Sequence, residues 1–156
     1  MADTKRNGDL AELRVASDLL RQGHRVAIPF GEDWDYDLVL CRQRQFERVQ
    51  VKYTESDGEV VHVRCRSHSL TGGRVRAVKH YTAATVDWIA VYDQTVDACF
   101  YVHSSHLGNG RSTLSLRLMP ARNGQRAGIN MAEDFADLDG ASRIRTDGLL
   151  RARQAL

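Results

Sequence analysis

Apolar and polar positions alternate with two different periods along the chain, and the change of period marks the predicted elements. Early in the chain the apolar residues recur at helical spacing, and on one broad arc lie Leu10, Leu13, Val15, Ala16, Leu19 and Leu20. Asn7 or Asp9 is a suitable N-cap for this segment, and Gly23 is a usual C-terminal stop. The pattern therefore predicts a first helix that ends near Gln22.

Short β-prone runs follow this helix and are separated by turn-forming residues. The predicted strands are Arg25–Ile28, Tyr36–Cys41, Phe46–Tyr53, Val60–Cys65, Asp87–Tyr92, Ala98–Val102 and Thr113–Leu118. A second helix is predicted within Val75–Thr85, and the apolar signal weakens after Glu133. We therefore expect one α/β domain over residues 1–132 and a C-terminal tail over residues 133–156.

The composition is that of a globular protein. The chain has 156 residues, of which 42% are apolar and 27% charged, enough for one core. No apolar stretch approaches the roughly 20 residues of a membrane helix, and no apolar signal segment follows the polar N-terminus. We therefore expect a cytoplasmic protein without membrane association. Cys41, Cys65 and Cys99 lack the spacing of metal ligands and are expected to be buried free thiols.

The charged residues are distributed unevenly along the chain. Residues 1–59 contain 9 Lys/Arg and 12 Asp/Glu, whereas residues 60–132 contain 9 Lys/Arg and only 3 Asp. An acidic first third beside a basic middle suits a protein that holds a cation in one place and a polyanion beside it. Chance patterning on a solvated surface explains the charges alone equally well.

Four polar side chains are predicted to converge on one site. Glu12 falls inside the apolar arc of the helix, where a carboxylate is costly without a charged partner. Asp37 lies at the start of a strand, and Gln50 and Lys52 project from one face of the next strand. A hairpin would bring these strands together, and a helix packed across the sheet would deliver Glu12. Because two adjacent carboxylates repel each other, the arrangement predicts a divalent cation between them.

Simpler explanations exist for two of these residues. Glu12 would also be accommodated at the edge of the helix stripe by pairing with an arginine, and Lys52 by an ion pair with Asp37 across the strands. A Ser/His/Asp hydrolase built on Ser67 and His68 is disfavoured because the chain has no Gly-x-Ser-x-Gly elbow.

The pattern formed by Glu12, Asp37 and Gln50-Val51-Lys52 resembles the signature of the PD-(D/E)XK nuclease superfamily. That signature is a helical Glu, an Asp at a strand start and an acid-x-Lys on the next strand. The chain is most similar to the homing endonucleases associated with group I introns, which carry Gln-x-Lys, and more distantly similar to archaeal Holliday-junction resolvases. The resemblance implies a restriction-endonuclease-like core, an α/β fold with a mixed central β-sheet flanked by helices.

The resemblance also implies Mg²⁺-dependent, or Mn²⁺-dependent, hydrolysis of double-stranded DNA by a homo-oligomer, either a dimer or a tetramer. Asp37, the Gln50 amide oxygen and the Val51 carbonyl would hold the metal. Lys52 would position the attacking water or stabilise charge on phosphorus, and Glu12 would bind a metal-bound water or a second ion. Because Gln50 brings no charge, the site is expected to hold metal weakly, or to hold one ion.

Basic and amide side chains in the middle of the chain are candidate DNA contacts. The candidates for phosphate contact are Arg64, Arg66, Ser67, His68 and Ser69, extended by Arg74, Arg76, Lys79, His80 and Tyr81. The candidates for reading base edges are Arg122, Asn123, Gln125 and Arg126. For each of these a solvated surface position is the simpler alternative. A structure-selective junction resolvase and a DNA-binding module that has lost cleavage are the alternative functions.

Overall fold

A five-stranded mixed sheet lies between a long N-terminal helix and a second, three-stranded sheet. The computed structural model describes residues 2–71 and 74–140, and for residues 2, 69–71, 75 and 76 it describes the backbone only. The elements in chain order are α1 (Ala2–Arg21), β1 (Arg25–Ala27), β2 (Leu38–Arg42), β3 (Gln45–Thr54), β4 (Val60–Arg64), β5 (Arg66–Thr71), β6 (Arg74–His80), β7 (Trp88–Asp93), β8 (Ala98–His103), β9 (Thr113–Arg117) and β10 (Asn130–Met131). Two 3₁₀ helices span Ser104–His106 and Ala132–Phe135.

The central sheet has the strand order β1-β2-β3-β7-β8. Its β3 and β7 strands run parallel, whereas the other neighbours are antiparallel. The second sheet has the order β10-β9-β4, and β5 pairs with β6 as a two-stranded ribbon. The predicted mixed central sheet is therefore confirmed, and the long parallel connection from β3 to β7 contains both β4 and the ribbon.

Strand β7 shows how the two cores are divided, because all of its residues are buried. Trp88 and Ala90 face α1, whereas Ile89 and Val91 face the second sheet. Two-sided burial is typical of a strand inside a layered sheet, and it explains why residues 88–92 show no alternation of apolar and polar side chains. Pairing with this buried strand anchors one edge of β3.

Helix α1 buries a narrower stripe than the sequence pattern predicted. Ala11, Val15 and Leu19, four residues apart, are at most 1% exposed, whereas Leu13 is 70% and Leu20 59% exposed. The predicted apolar arc was therefore too broad, because a helix that lies on one face of a sheet buries only the side chains directed at that face. The helix also begins earlier than the predicted cap, at Ala2, with Asp3 in its first turn.

The helix predicted within Val75–Thr85 was wrong, because this segment forms β6 and a following turn. Residues 74–80 pair with β5, and the turn is closed by the Thr85 amide, which donates to the Thr82 carbonyl at 3.0 Å. The β-branched Val75 and Val78 fit a strand, and pairing with β5 satisfies backbone groups that a helix would have satisfied internally.

The domain boundary at residue 132 stays a prediction. Just beyond it, Phe135 and Leu138 are each 1% exposed and pack on opposite sides of the central sheet. Within the part of the chain that the structure describes, no helix has the length and apolar character needed to cross a membrane.

Replacing Leu19 by alanine tests which face of α1 is buried. Because the Leu19 side chain is fully buried, Leu19→Ala is expected to lower the free energy of unfolding by about 2–5 kcal/mol. Leu13→Ala, the same change on the exposed side of the same helix, is expected to alter it by less than about 0.5 kcal/mol. Urea unfolding of both variants measures the difference, and equal losses would contradict the observed helix orientation.

Candidate active site

Asp37 directly precedes β2 and is attached to β3 by both its backbone and its side chain. Its amide N–H donates to the Val49 carbonyl at 2.9 Å, and its Oδ2 atom accepts the Val51 amide at 2.8 Å. The predicted hairpin, which places Asp37 beside the middle of β3, is confirmed. The carboxylate is therefore fixed before any ligand arrives.

The Gln50 side chain, only 9% exposed, completes this arrangement. Its Nε2 atom donates to Asp37 Oδ2 at 2.6 Å and to the Val51 carbonyl oxygen at 3.2 Å. Two oxygen atoms from different groups thus converge on one nitrogen atom. A half-turn of the same amide presents its oxygen atom instead of its nitrogen atom to that point.

Glu12 of α1 is half-buried, and its carboxylate is close enough to Asp37 for their charges to interact. Burial raises the pKa of Glu12, and the negative charges of Asp37 and Asp9 raise it further. Among the described residues, no Lys or Arg side chain lies within 4.0 Å of this carboxylate. The described residues therefore do not form the Glu12–arginine ion pair that would have been a simpler explanation for Glu12.

Helix α1 does not pack on the face of β3 from which Gln50 and Lys52 project, as the sequence led us to expect. Val49 and Val51 pack with the helix, so the period of two turns Gln50 and Lys52 toward the opposite face. The carboxylate of Glu12 is nevertheless close enough to Asp37 for their charges to interact.

Burial also raises the pKa of Asp37, although the hydrogen bond from the Val51 amide and the positive charge of Lys52 lower it in part. The site thus contains two carboxyl groups whose ionised forms are disfavoured by their surroundings. A cation bound between them would reverse this penalty, because it favours both charged forms.

Lys52 is half-buried, and its ammonium group contacts an aromatic side chain. Its Nζ atom donates to the Tyr81 hydroxyl at 3.4 Å and lies 4.9 Å from the centre of the Tyr81 ring. No carboxylate of the described residues lies within 4.0 Å of Nζ, so the suggested ion pair with Asp37 is not formed there. Tyr81 is only 4% exposed, and the prediction that it extends a surface was wrong.

The contact between Tyr81 and Lys52 could not be predicted from the local pattern of the chain. Tyr81 follows a basic strand, and its type suits a surface as well as a core. Its burial results from the second sheet, because its amide donates to the Cys65 carbonyl at 2.9 Å and its ring joins the core between the sheets.

The first set of candidate DNA contacts lies on or near the β5–β6 ribbon. Exposed side chains of this set are Arg64, His68 and Arg74, and half-buried ones are Arg66, Ser67 and His80. Lys79 forms an ion pair with Asp35, which lies two residues before Asp37. This pair attaches the ribbon to the segment that carries the site carboxylate. The side chains of Ser69 and Arg76 lie outside the described part of the structure.

The second set lies elsewhere on the molecule. The exposed residues Arg122, Asn123, Gln125 and Arg126 belong to the segment between β9 and β10. The first three line a groove together with His62 and Ser115 of the second sheet. Because His62 and Ser115 alternate with buried residues, this groove is on the outer face of that sheet, away from the core that contains Tyr81. Arg122 also pairs with Glu59 at 3.3 Å.

The donor set of the site consists of two carboxylates, one amide and one backbone carbonyl. No group of three or more His, Cys, Asp or Glu side chains that could together hold a metal ion occurs among residues 2–71 and 74–140. The oxygen donors nevertheless match the preference of Mg²⁺, which usually takes one or two carboxylates and keeps several waters. The residues therefore fit a hard divalent cation and do not fit a zinc site.

Asp37→Asn tests the electrostatic penalty in the cation-free protein. A carboxyl group with a raised pKa in the fold favours folding below its ordinary pKa, and this contribution is lost as the pH rises through the raised value. The permanently neutral Asn is therefore expected to raise the urea midpoint at pH 7, and the gain is expected to fade toward pH 3.

Asp87→Asn is the control with the opposite sign. Burial raises the pKa of Asp87, but its hydrogen bonds with Arg48 outweigh that effect and lower the pKa overall. This carboxylate stabilises the fold above its ordinary pKa, and the contribution is lost as the pH falls. Asp87→Asn is therefore expected to lower the midpoint at pH 7. A lowered midpoint for both variants would refute the penalty at Asp37.

Comparison with solved structures identifies proteins that are similar to this chain in structure. The chain is similar in structure to the bacterial homing endonuclease I-Ssp6803I, with a TM-score of 0.63 and 22% identity over 96% of this chain and 97% of that chain. A second match is Hjc, a Holliday junction resolvase from Archaeoglobus fulgidus, with a TM-score of 0.41 and 12% identity over 81% of this chain and 93% of that chain. No curated protein sequence matches the chain significantly.

The first structural match shows a shared fold, the mixed α/β arrangement of restriction-endonuclease type that the resemblance implied. A family model adds evidence from the sequence, since the model described as PD-(D/E)XK endonuclease matches residues 2–138. This match covers most of the 156 residues and includes Glu12, Asp37 and the Gln50-Val51-Lys52 motif. The chain therefore belongs to the PD-(D/E)XK endonuclease family, a family of phosphodiester hydrolases.

Proposed function

We propose that this protein is a Mg²⁺-dependent, or Mn²⁺-dependent, endonuclease that hydrolyses double-stranded DNA in the manner of a homing endonuclease. The observation that carries the proposal is the convergence of Asp37 Oδ2 and the Val51 carbonyl oxygen on a single atom of Gln50. Two oxygen atoms that share one donor mark a position where a cation can replace the N–H groups.

Asp37, the Gln50 amide oxygen and the Val51 carbonyl would hold the cation, and Glu12 would bind one of its waters or a second ion. The bound cation supplies Lewis-acid polarisation of the phosphoryl group and lowers the pKa of water. Because Gln50 is neutral, this site has less negative charge than one with a Glu there. We therefore expect occupancy by one cation at millimolar concentration rather than tight binding of two.

The chain's own residues would orient the reaction around the scissile phosphate. The half-buried carboxylate of Glu12 holds an attacking water by accepting its hydrogen bond. Lys52 donates to a phosphoryl oxygen and stabilises the charge that develops as water attacks and the ester oxygen leaves. The raised pKa of Glu12 suits this role, because a carboxylate that binds a proton more readily is a better acceptor near neutral pH.

DNA would bind first through phosphate contacts from the ribbon and its surroundings. The exposed Arg64, His68 and Arg74 supply groups of the appropriate chemistry, and the Lys79–Asp35 pair keeps the ribbon beside the site. The outer groove with Arg122, Asn123 and Gln125 would provide a second contact region that reads base edges.

We further propose that the working enzyme is a homo-oligomer. One such site cuts one strand, so a double-strand break requires two copies acting on opposite strands. Support for self-association comes from large apolar side chains on the surface, such as Leu13 and Leu20 of α1 and Phe46 of β3, which is 79% exposed.

Cleavage of supercoiled plasmid tests the proposed activity. With Mg²⁺ we expect nicking and then linearisation, and with EDTA we expect none. A four-way junction run in parallel would be cut preferentially if the enzyme is a junction resolvase, and binding without cutting of either DNA would indicate a non-cleaving module.

Lys52→Ala is expected to lower the cleavage rate by about 100-fold or more, because it removes the charge that stabilises the transition state. Lys5→Ala, at an exposed position near the start of α1, is the matched control and should cut at the wild-type rate. Undiminished cutting by Lys52→Ala would remove Lys52 from the mechanism.

Gln50→Glu separates the cation site from a purely structural amide. Without metal, the new carboxylate faces Asp37 Oδ2 and the Val51 carbonyl, so the melting temperature at pH 7 is expected to fall. The stabilisation by added Mg²⁺ is expected to increase, because the site gains a charged oxygen ligand.

The matched control is Gln22→Glu. Gln22 also donates from Nε2 to a carboxylate, Asp18 Oδ2, at 2.8 Å, but it lies at the end of α1 outside the site. Gln22→Glu should lower the melting temperature without gaining any Mg²⁺ response. Equal Mg²⁺ responses in both variants would refute a cation site at Gln50.

A further inference from the structure

The ammonium group of Lys52 is held by an aromatic side chain that carries no formal charge. We propose that Tyr81 is a positioning residue, which orients Lys52 toward the scissile phosphate while leaving its positive charge unneutralised. This inference rests on the proposed function, because it assigns Tyr81 a role through Lys52.

Tyr81 is itself held in a fixed position. Its side chain is 4% exposed within the core between the two sheets, and its amide donates to the Cys65 carbonyl at 2.9 Å. From there its hydroxyl accepts the Lys52 ammonium at 3.4 Å, and its ring centre lies 4.9 Å from Nζ. Two separate features of one rigid side chain thus contact the flexible end of the lysine.

The chemistry of this partner differs from that of an ion pair. A carboxylate would cancel the positive charge, and the phosphate would then have to compete for it. A phenol oxygen and an aromatic face attract an ammonium group through partial charges only. Lys52 can therefore be oriented before DNA binds and still present a net positive charge to the phosphoryl oxygens.

The phenol also suits the location of the lysine. Lys52 projects from β3 on the face opposite α1, next to the carboxylate of Asp37, whose pKa its charge lowers in part. A four-carbon side chain without a second contact would be free to turn toward Asp37 and form the ion pair that the structure lacks among its described residues. Tyr81 holds the ammonium group away from that pairing.

Single-turnover cleavage by Tyr81→Phe and Tyr81→Leu tests the proposal. Phe keeps the ring and removes the hydroxyl, so we expect a rate about three- to tenfold lower with unchanged DNA affinity. Leu removes both contacts, so we expect a larger loss, about thirtyfold. Tyr101→Phe is the matched control, because Tyr101 is also buried but donates its hydroxyl to Asp18 on the other side of the sheet. This control is expected to cut at the wild-type rate.

A role through Lys52 predicts non-additive effects. In a Lys52→Ala background, Tyr81→Phe should lower the residual single-turnover rate no further. A merely structural role would lower it by the same factor in both backgrounds, and that result would overturn the proposal. Wild-type rates for Tyr81→Phe and Tyr81→Leu, with Lys52→Ala strongly impaired, would also overturn it while leaving the proposed endonuclease function intact.

Nuclear magnetic resonance of protein labelled at the lysine ε-carbons gives a readout that does not depend on activity. The signal that disappears in Lys52→Ala belongs to Lys52, and the Tyr81 ring current should displace it from the position of the other lysine signals. We expect the displacement to persist in Tyr81→Phe and to be lost in Tyr81→Leu. No displacement in the wild type would overturn the contact itself. If the wild type cuts no DNA, the proposed function fails, and the catalytic role of Tyr81 fails with it.

Discussion

The Oδ2 atom of Asp37 forms the contact on which the site depends. It accepts hydrogen bonds from the Val51 backbone and the Gln50 side chain, and it thereby joins the start of β2 to the middle of β3. These bonds fix the carboxylate, but burial raises its pKa, and the Val51 hydrogen bond and the charge of Lys52 offset that effect only in part. A carboxylate that is held in one position although burial disfavours its charge is typical of a ligand site, because a bound cation stabilises that charge.

The layered architecture keeps this carboxylate in place. Strand β3 is paired on both sides, with β2 antiparallel and β7 parallel, and β7 is buried on both faces. The alternation along β3 then separates the two tasks of the strand. Val49 and Val51 anchor it to α1, while Gln50 and Lys52 face the other way, where Tyr81, which directly follows β6, belongs to the core between the sheets. Stability and chemistry thus use opposite faces of the same strand.

The two lysine side chains at or near the site, Lys52 and Lys79, contact different kinds of partner. Glu12 and Asp37 raise the local negative potential, whereas Lys52 contacts a phenol instead of a carboxylate. By contrast, the neighbouring Lys79 is paired with Asp35. The positive charge of Lys52 is therefore less compensated by a carboxylate partner than that of Lys79, and it is more available to an anionic substrate. This difference follows from the partner that each ammonium group contacts and not from the residue type, which is the same.

The local pattern of the sequence was sufficient for the helix, most strands and the hairpin that unites Asp37 with Gln50, because alternation and turn residues act over short distances. It was insufficient for the segment 74–80, where pairing with β5 decided between helix and strand, and for the width of the buried stripe on α1. Which residues bear carboxylates, amides and cations was thus determined by the sequence. Only the tertiary structure decided that α1 packs on the face of β3 opposite Gln50 and Lys52 and that Tyr81 contacts Lys52, because these contacts join elements far apart in the chain, whose packing no local periodicity encodes.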